Sequence, residues 1–334
     1  MSAHRIVIGC AADGSYALPL AVMLRSAAVR LDPRFALDVY AVDAGLSRDD
    51  RERVVRSLDG RATLRWVEPS RAAFTGVPLW GRMPIATYDK LAIARWIPDT
   101  VDRVLWLDAD LLVLADLATL WTTDFGSAVL AATQDARVPT VDARFGIGPF
   151  ASCGLVPGAK YFNAGVLLID LARWRAADVE QRALAYLKQH RARVYFWDQE
   201  ALNVALAAGW SELAPGWNWS PTTGQPRSAL ADDADAPRIL HFSGSLKPWR
   251  YPGRGMPHDL YYRDLDQTAF AGWRPAASLW SSGVGLYEAS GLRRFALPLE
   301  RWALSLLRAA TLRYASAADL VATPSRVAHA SRTS

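Results

Sequence analysis

The chain has 334 residues, 51% of them hydrophobic, enough to bury a sizeable core. A formal charge of +5, from 38 Lys and Arg against 33 Asp and Glu, suits an anionic partner; with no basic-aromatic recognition motif it makes no case for nucleic acid. Two cysteines without a CxxC pattern argue against a disulfide framework, and no run of about 18 uncharged apolar residues argues for a membrane span.

The N-terminus, MSAHRIVIGC, lacks the charged start, apolar middle and cleavage site of a signal peptide, so a cytoplasmic setting is expected. Residues 5–11 read as a buried strand, followed by the turn ADGSY and a helix over 17–30. A strand at 36–42, a polar-faced helix at 46–58 and a strand at 62–68 come next. A helix over 84–98 is closed by Pro98, and strands follow at 103–110, 127–133 and 165–171. This alternation predicts an α/β domain with a mostly parallel central sheet flanked by helices. Ligands of such sheets bind beyond the carboxyl ends of strands, where ADGSY, DAD and TQD all fall. Residues 134–162 form a long connection of the kind that serves as a lid or binding loop, and 221–237 read as an exposed polar loop. The alternation fades after residue 265, predicting a catalytic domain over 1–265 and a separate tail over 266–334.

The stretch LWLDADLLVL (105–114) carries the strongest chemical signal. Side chains two apart on a strand share a face, which would place Asp108 and Asp110 side by side, with Ala109 between them, at the end of a buried strand. Buried carboxylates need a cation, and such a pair suits Mg²⁺ or Mn²⁺ bridging to phosphate. The bland alternative is a pair that caps a helix or meets arginines.

In ILHFSGSLKPW (239–249), His241 ends a short strand and can complete a metal site; the small residues after it let backbone N–H groups approach phosphate, and Lys247 adds charge. Read alone, His241 is a core histidine. Asn163 and Gly165, in YFNAGVLLIDL, precede a strand and can serve sugar hydroxyls or form a plain turn. Asp198 and Gln199 open a helix, where Asp198 is also a good N-cap. Asp13 in AADGSY can meet a ribose or base, although GxGxxG is absent. Lys90, read alone, is a solvated charge.

Taken in order, AAD (11–13), TYDKL (87–91), LWLDAD (105–110), YFNAGVLLIDL (161–171), DQEALN (198–203) and HFSGSLKPW (241–249) resemble the family 8 glycosyltransferases, nucleotide-sugar enzymes of the GT-A fold. The likeness is greatest to bacterial lipopolysaccharide galactosyl- and glucosyltransferases, and covers residues 5 to about 250. It implies retaining transfer of glucose or galactose from a UDP-sugar to a glycan, a lipid-linked saccharide or another hydroxyl acceptor, with Mn²⁺ required and Mg²⁺ as the alternative. It implies Asp108, Asp110 and His241 as metal ligands. Ala11, Asp13 and Tyr16 match the uridine loop, and Lys247 with Gly244 the diphosphate contact. Lys90 stands where a basic residue approaches the donor. Asp135, Asn163, Asp198 and Gln199 match the groups around the donor sugar. Ser15 stands where some members carry Asn, which puts one nucleoside contact in question.

Gln199 is a poor nucleophile, so front-face attack is expected, with the leaving phosphate oxygen accepting the acceptor proton. The acceptor is expected against the 136–160 loop and Phe145, Phe150, Trp217 and Trp219. Residues 292–314 read as an amphipathic helix with five arginines against one glutamate, suited either to an anionic membrane surface or to packing on the domain. The enzyme would then sit peripherally on the inner face of a membrane. Two rivals stand beside this reading: an inactive GT-A-like binding protein, and a DxD phosphohydrolase. The second wants Thr or Val where Leu112 stands and its DxD on the first strand.

Overall fold

A computed structural model describes residues 4–68, 70–80, 83–207, 209–221, 236–244, 247–276 and 306. The chain begins β1 (His4–Ala12), α1 (Ala17–Arg30), β2 (Phe35–Asp43), α2 (Arg48–Ser57) and β3 (Thr63–Val67). Pro19 sits in the first turn of α1, where its missing N–H costs no helical hydrogen bond. A 3₁₀ helix, Ile85–Ala92, then runs into the short α3 (Ile93–Trp96). There follow β4 (Arg103–Leu107), β5 (Leu111–Val113), α4 (Leu117–Trp121), β6 (Leu130–Gln134), β7 (Phe162–Asp170) and α5 (Leu171–Ala176). Next come α6 (Val179–Gln189), α7 (Trp197–Ala205), β8 (Trp210–Glu212), a 3₁₀ turn over Pro215–Asn218, β9 (Ile239–His241) and α8 (Met256–Leu265).

Among the described residues one sheet has seven strands in the order β3-β2-β1-β4-β7-β6-β8. It is mostly parallel, as the sequence predicts: β7 alone runs against its neighbours β4 and β6. Chain order reverses between β1 and β4, so a crevice opens beyond the ends of those two strands. Side chains alternate between two apolar layers. Ile6, Ile8 and Cys10 face α1, whereas Val7, Val104 and Trp106 face the layer that holds α3, α6 and α7.

Three sequence expectations change in detail. The strand expected to run to residue 110 ends at Leu107; the chain turns at Ala109–Asp110 and re-enters as β5. β5 pairs with β9 in a separate two-stranded sheet that sets Leu111 opposite His241. Asn163 and Gly165 lie inside β7 and not before it. Because β7 is antiparallel, its start faces the same crevice as the ends of the parallel strands. The helix expected over 84–98 is wound mainly as 3₁₀, with Tyr88, Asp89, Lys90 and Leu91 buried in succession.

The long 134–162 connection is pinned rather than loose. Thr140 bridges to Lys160, and Val138, Val141, Ile147 and Leu155 are buried beneath it. Residues 266–276 also lie on the domain: Phe270 is buried under the Arg53 guanidinium at 3.8 Å, and the Ala269 amide donates to Ser57 Oγ. The amphipathic segment at 292–314 falls outside the described residues, Leu306 apart.

Candidate active site

Asp108 and Asp110 sit on either side of the turn that carries the chain from the main sheet to the small one. The Asp108 amide still donates to Gly165 O at 2.9 Å, prolonging the β4–β7 ladder by one residue. Asp110 O accepts from Phe242 N at 3.0 Å, beginning the β5–β9 pairing. The two carboxylates therefore converge through the junction of two sheets, and not through alternation along one strand. Ligand atoms of Asp108, Asp110 and His241 lie within 4.8 Å of one another. His241 Nε2 is 3.3 Å from Asp110 Oδ1.

A relay of hydrogen bonds sets the histidine tautomer. Asp135 Oδ2 can only accept, so Asn163 points its Nδ2 there at 2.8 Å and leaves Oδ1 as an acceptor. Asn218 Nδ2 donates to that Oδ1 at 2.8 Å, which leaves the Asn218 Oδ1 facing His241 Nδ1 at 2.8 Å. Nδ1 then carries a proton in either state of the ring, so in the neutral ring a metal requires, the Nε2 lone pair faces the carboxylates, whereas a protonated Nε2 meets Asp110 as a charged donor. The ring also rests on bare backbone: a Cβ on Gly165 would lie 2.4 Å from His241 Cε1.

Two buried lysines balance the acids. Lys247 Nζ donates to Asp110 Oδ2 and to Phe242 O. Burial opposes ionisation of Asp110, but Lys247 and His241 hold its carboxyl far below the usual range. Lys90, a solvated charge when read alone and a donor neighbour by the resemblance, is only 4% exposed. Its Nζ lies 3.0 Å from Asp108 Oδ1, 2.8 Å from Asp198 Oδ2 and 3.0 Å from Ala164 O. Burial alone would lower its pKa; the flanking Asp108 and Asp198 outweigh this and raise it above the ordinary value. Lys90 thereby ties the start of the acidic turn to α7.

The opposite wall is equally connected. Asp135, at the end of β6, accepts from Arg137 N and Val138 N through Oδ1, and from Asn163 and Gln199 through Oδ2. Gln199 Oε1 in turn accepts from Ala164 N at 3.1 Å. Asp198 accepts from Thr87 Oγ1 at 2.6 Å, in addition to its contact with Lys90. A polar recess of about 30 Å³ lies among Asp135, Arg137, Asn163, Asn218, His241 and Ser243.

Other expected residues lie near the rim. Asp13 Oδ1 accepts from the amide and hydroxyl of Ser15, fixing the turn after β1. Tyr16 meets Trp249 edge-on with ring centres 5.8 Å apart, Ala11 is half-buried, and Ala109 is buried in the main core. Gly244 has φ +90 and lies against the Arg137 guanidinium, which donates to Ser243 O. Trp217 and Trp219, expected to face an acceptor, are core residues only 4% and 5% exposed. Phe145 packs edge-on to Tyr195, and Phe150 lies against the second apolar layer. Sequence reasoning missed Asn218 and Arg137, which stand in no recognisable motif. It also passed over Thr87 and Trp106, although both stand in motifs already singled out. Trp106 Nε1 donates to Asp108 Oδ1 at 2.7 Å.

Comparison with known proteins agrees with this geometry. A galactosyltransferase, LgtC, crystallised with donor and acceptor sugar analogues, superposes with a TM-score of 0.67 and 29% identity, covering 83% of this chain and 99% of that one. General stress protein A of Bacillus subtilis is 26% identical over 78% of this chain and 93% of its own length. The lipopolysaccharide 1,3-galactosyltransferase of Salmonella typhimurium is 29% identical over 49% of each chain. The family model described as "Glycosyl transferase family 8" matches residues 7–253. The arrangement of strands is that of the GT-A fold, and the chain belongs to glycosyl transferase family 8.

Proposed function

We propose that this protein is a retaining hexosyltransferase that moves glucose or galactose from a UDP-sugar to a hydroxyl of a glycan or lipid-linked saccharide. The observation that carries the reading is the Asp108–Asp110–His241 cluster, with Lys247 on one side and the Asp135–Asn163–Gln199 network on the other.

The donor set fits a divalent cation, Mn²⁺ or Mg²⁺: two carboxylates and an imidazole whose Nε2 lone pair is turned toward them. Bound there, the cation supplies Lewis-acid neutralisation of the departing diphosphate. Lys247 adds a second positive charge where negative charge develops. Ala11, Asp13 and Tyr16 are assigned to the uridine, Ala109 to close backbone approach at the ribose and diphosphate, and Gly244 to the phosphates. Lys90 holds Asp108 and Asp198 at fixed separation. Asn163, Asp135, Asp198 and Gln199 orient the sugar.

Retention requires either a protein nucleophile or attack from the face the leaving group departs. Asp135 already accepts four hydrogen bonds, and each Asp198 oxygen is held by Thr87 or Lys90. Both carboxylates are therefore quenched as nucleophiles, and Gln199 is an amide. This supports front-face attack, the leaving phosphate oxygen taking the acceptor proton.

UDP release from UDP-glucose or UDP-galactose, with Mn²⁺ and then with EDTA, tests the assignment. Metal-dependent release that Asp110→Ala abolishes without unfolding the protein is the expected result. No donor binding in the presence of metal would overturn it, and a glycosyl adduct trapped on Asp135 or Asp198 would overturn the front-face route. The catalytic domain, expected over 1–265, is assigned to residues 1–276, because Ala269 and Phe270 pack on Ser57 and Arg53. The 292–314 segment, with its net charge of +4, is assigned to an anionic membrane surface on the cytoplasmic side. Among the described residues no helix is long and apolar enough to cross a membrane.

A further inference from the structure

Trp197 is the first residue of α7 and stands directly before Asp198 and Gln199. Its φ is +37, in the left-handed region that glycine or asparagine enters easily and a bulky side chain enters at a cost. The indole stacks on Trp80, ring centres 4.5 Å apart and planes 22° from parallel. Neither indole N–H has a hydrogen-bond partner among the described residues, so ring contact itself holds the pair. Trp80 is 6% exposed.

The segment that carries Trp80 also holds the neighbouring acid. Tyr88 OH donates to Pro78 O at 2.5 Å, tying the Trp80 stretch to the Ile85–Ala92 helix. From that helix Thr87 and Lys90 reach Asp198 at 2.6 and 2.8 Å. One stretch of chain therefore grips two successive residues of α7, Trp197 by stacking and Asp198 by hydrogen bond and charge. Gln199, one residue further, pins Asp135 and the Ala164 amide.

We propose that the Trp80–Trp197 stack is a positioning device for the donor-sugar wall: it holds the first turn of α7 in its strained direction and thereby fixes Asp198 and Gln199. The proposal rests on the transferase reading for its kinetic consequence only. Neither tryptophan touches the reacting atoms; both act through the residues that follow.

Trp80→Ala and Trp197→Ala should each lower kcat about tenfold while leaving the donor KM within about twofold, the signature of misplacement without lost binding. The double variant should be no slower than either single variant, because both remove one shared contact. Trp197→Phe, which keeps a ring over Trp80, should recover most of the rate. Independently of turnover, Trp80→Ala should accelerate amide exchange over residues 198–203 while exchange in β1 and β4 stays unchanged. Multiplying single-variant losses, a change confined to KM, or exchange that rises everywhere or nowhere would overturn the proposal. If the wild-type protein releases no UDP, the transferase reading fails by itself and the exchange measurement still decides the stack.

Discussion

At the residue scale, the metal cluster depends on a side chain that lies outside it. Asn218 holds His241 by Nδ1, and its own amide is oriented by Asn163 and ultimately by Asp135. Removing such an outer partner commonly costs 10–100-fold in metal affinity. Asn218→Ala should weaken Mn²⁺ binding by about that factor, read by titration calorimetry, with little change in thermal stability; unchanged affinity would show that the relay does not control the imidazole. Gly165→Ala should have a comparable effect by another route, because its methyl would occupy space held by the His241 ring. Asp108, Asp110, His241 and Lys247 were legible in the string because their chemistry belongs to the residue types and to the pattern around them. Asn218 was not, since its role arises only when the turn at Pro215 is folded against β9. The burial of Lys90 was hidden for a similar reason: its counter-charges, Asp108 and Asp198, come from distant parts of the chain.

Among the elements, the departures from expectation occur where periodicity carries little information. β5, β8 and β9 have three residues each, too few for an alternation to register. Ile85–Ala92 is buried over most of its length, Tyr88 to Ala92 in succession, which no single-face pattern can signal. Two of its polar side chains are buried with opposite partners: Lys90 with acids, and Asp89 with Arg71. Asp89 is 0% exposed and receives two guanidinium hydrogen bonds from Arg71, at 2.9 and 2.6 Å. Burial raises the Asp89 pKa and Arg71 only partly restores it. Arg71→Met would leave a buried carboxylate alone, at a cost of about 3 kcal/mol; urea unfolding should show that loss, and a change below about 1 kcal/mol would mean that Asp89 finds another partner. On α8, burial holds the His258 pKa below its ordinary 6.5, only partly opposed by Asp259. Between that lowered value and 6.5 the unfolded chain binds more protons, so stability is full above 6.5 and falls as the solution is acidified through the window. His258→Gln should flatten this part of the stability–pH curve, and an unchanged slope from pH 7 to 5 would assign the acid sensitivity elsewhere.

For the molecule as a whole, strand order makes the site possible. The reversal between β1 and β4 opens the crevice, and the reversed β7 brings Asn163 and Gly165 to the same end as Asp13, Asp108 and Asp135. Sequence alternation predicted the parallel half well, because β1, β2 and β4 are buried apolar runs with clear helical spacers. The reversed direction of β7 in the seven-stranded sheet was invisible to it, since direction leaves no mark in composition. The chain remains on the domain past the expected boundary at 265: the Ala269 amide donates to Ser57 Oγ, and Arg53 donates to Ala269 O and covers the Phe270 ring. A protein ending at Ala276 should therefore fold and bind UDP with Mn²⁺ as the full chain does. The segment removed includes 292–314, whose net +4 is worth about 4 kcal/mol against an anionic bilayer at about 1 kcal/mol per basic charge, close to a thousandfold in partitioning. Co-sedimentation with phosphatidylglycerol vesicles at low salt should be strong for the full chain, weak for the shortened one, and lost for both at high salt, where the screening length shrinks to a few ångströms. Equal sedimentation of the two would move membrane binding to the catalytic domain. Loss of UDP binding on shortening would instead make the tail part of the site's support, and the basic 292–314 segment a packing element.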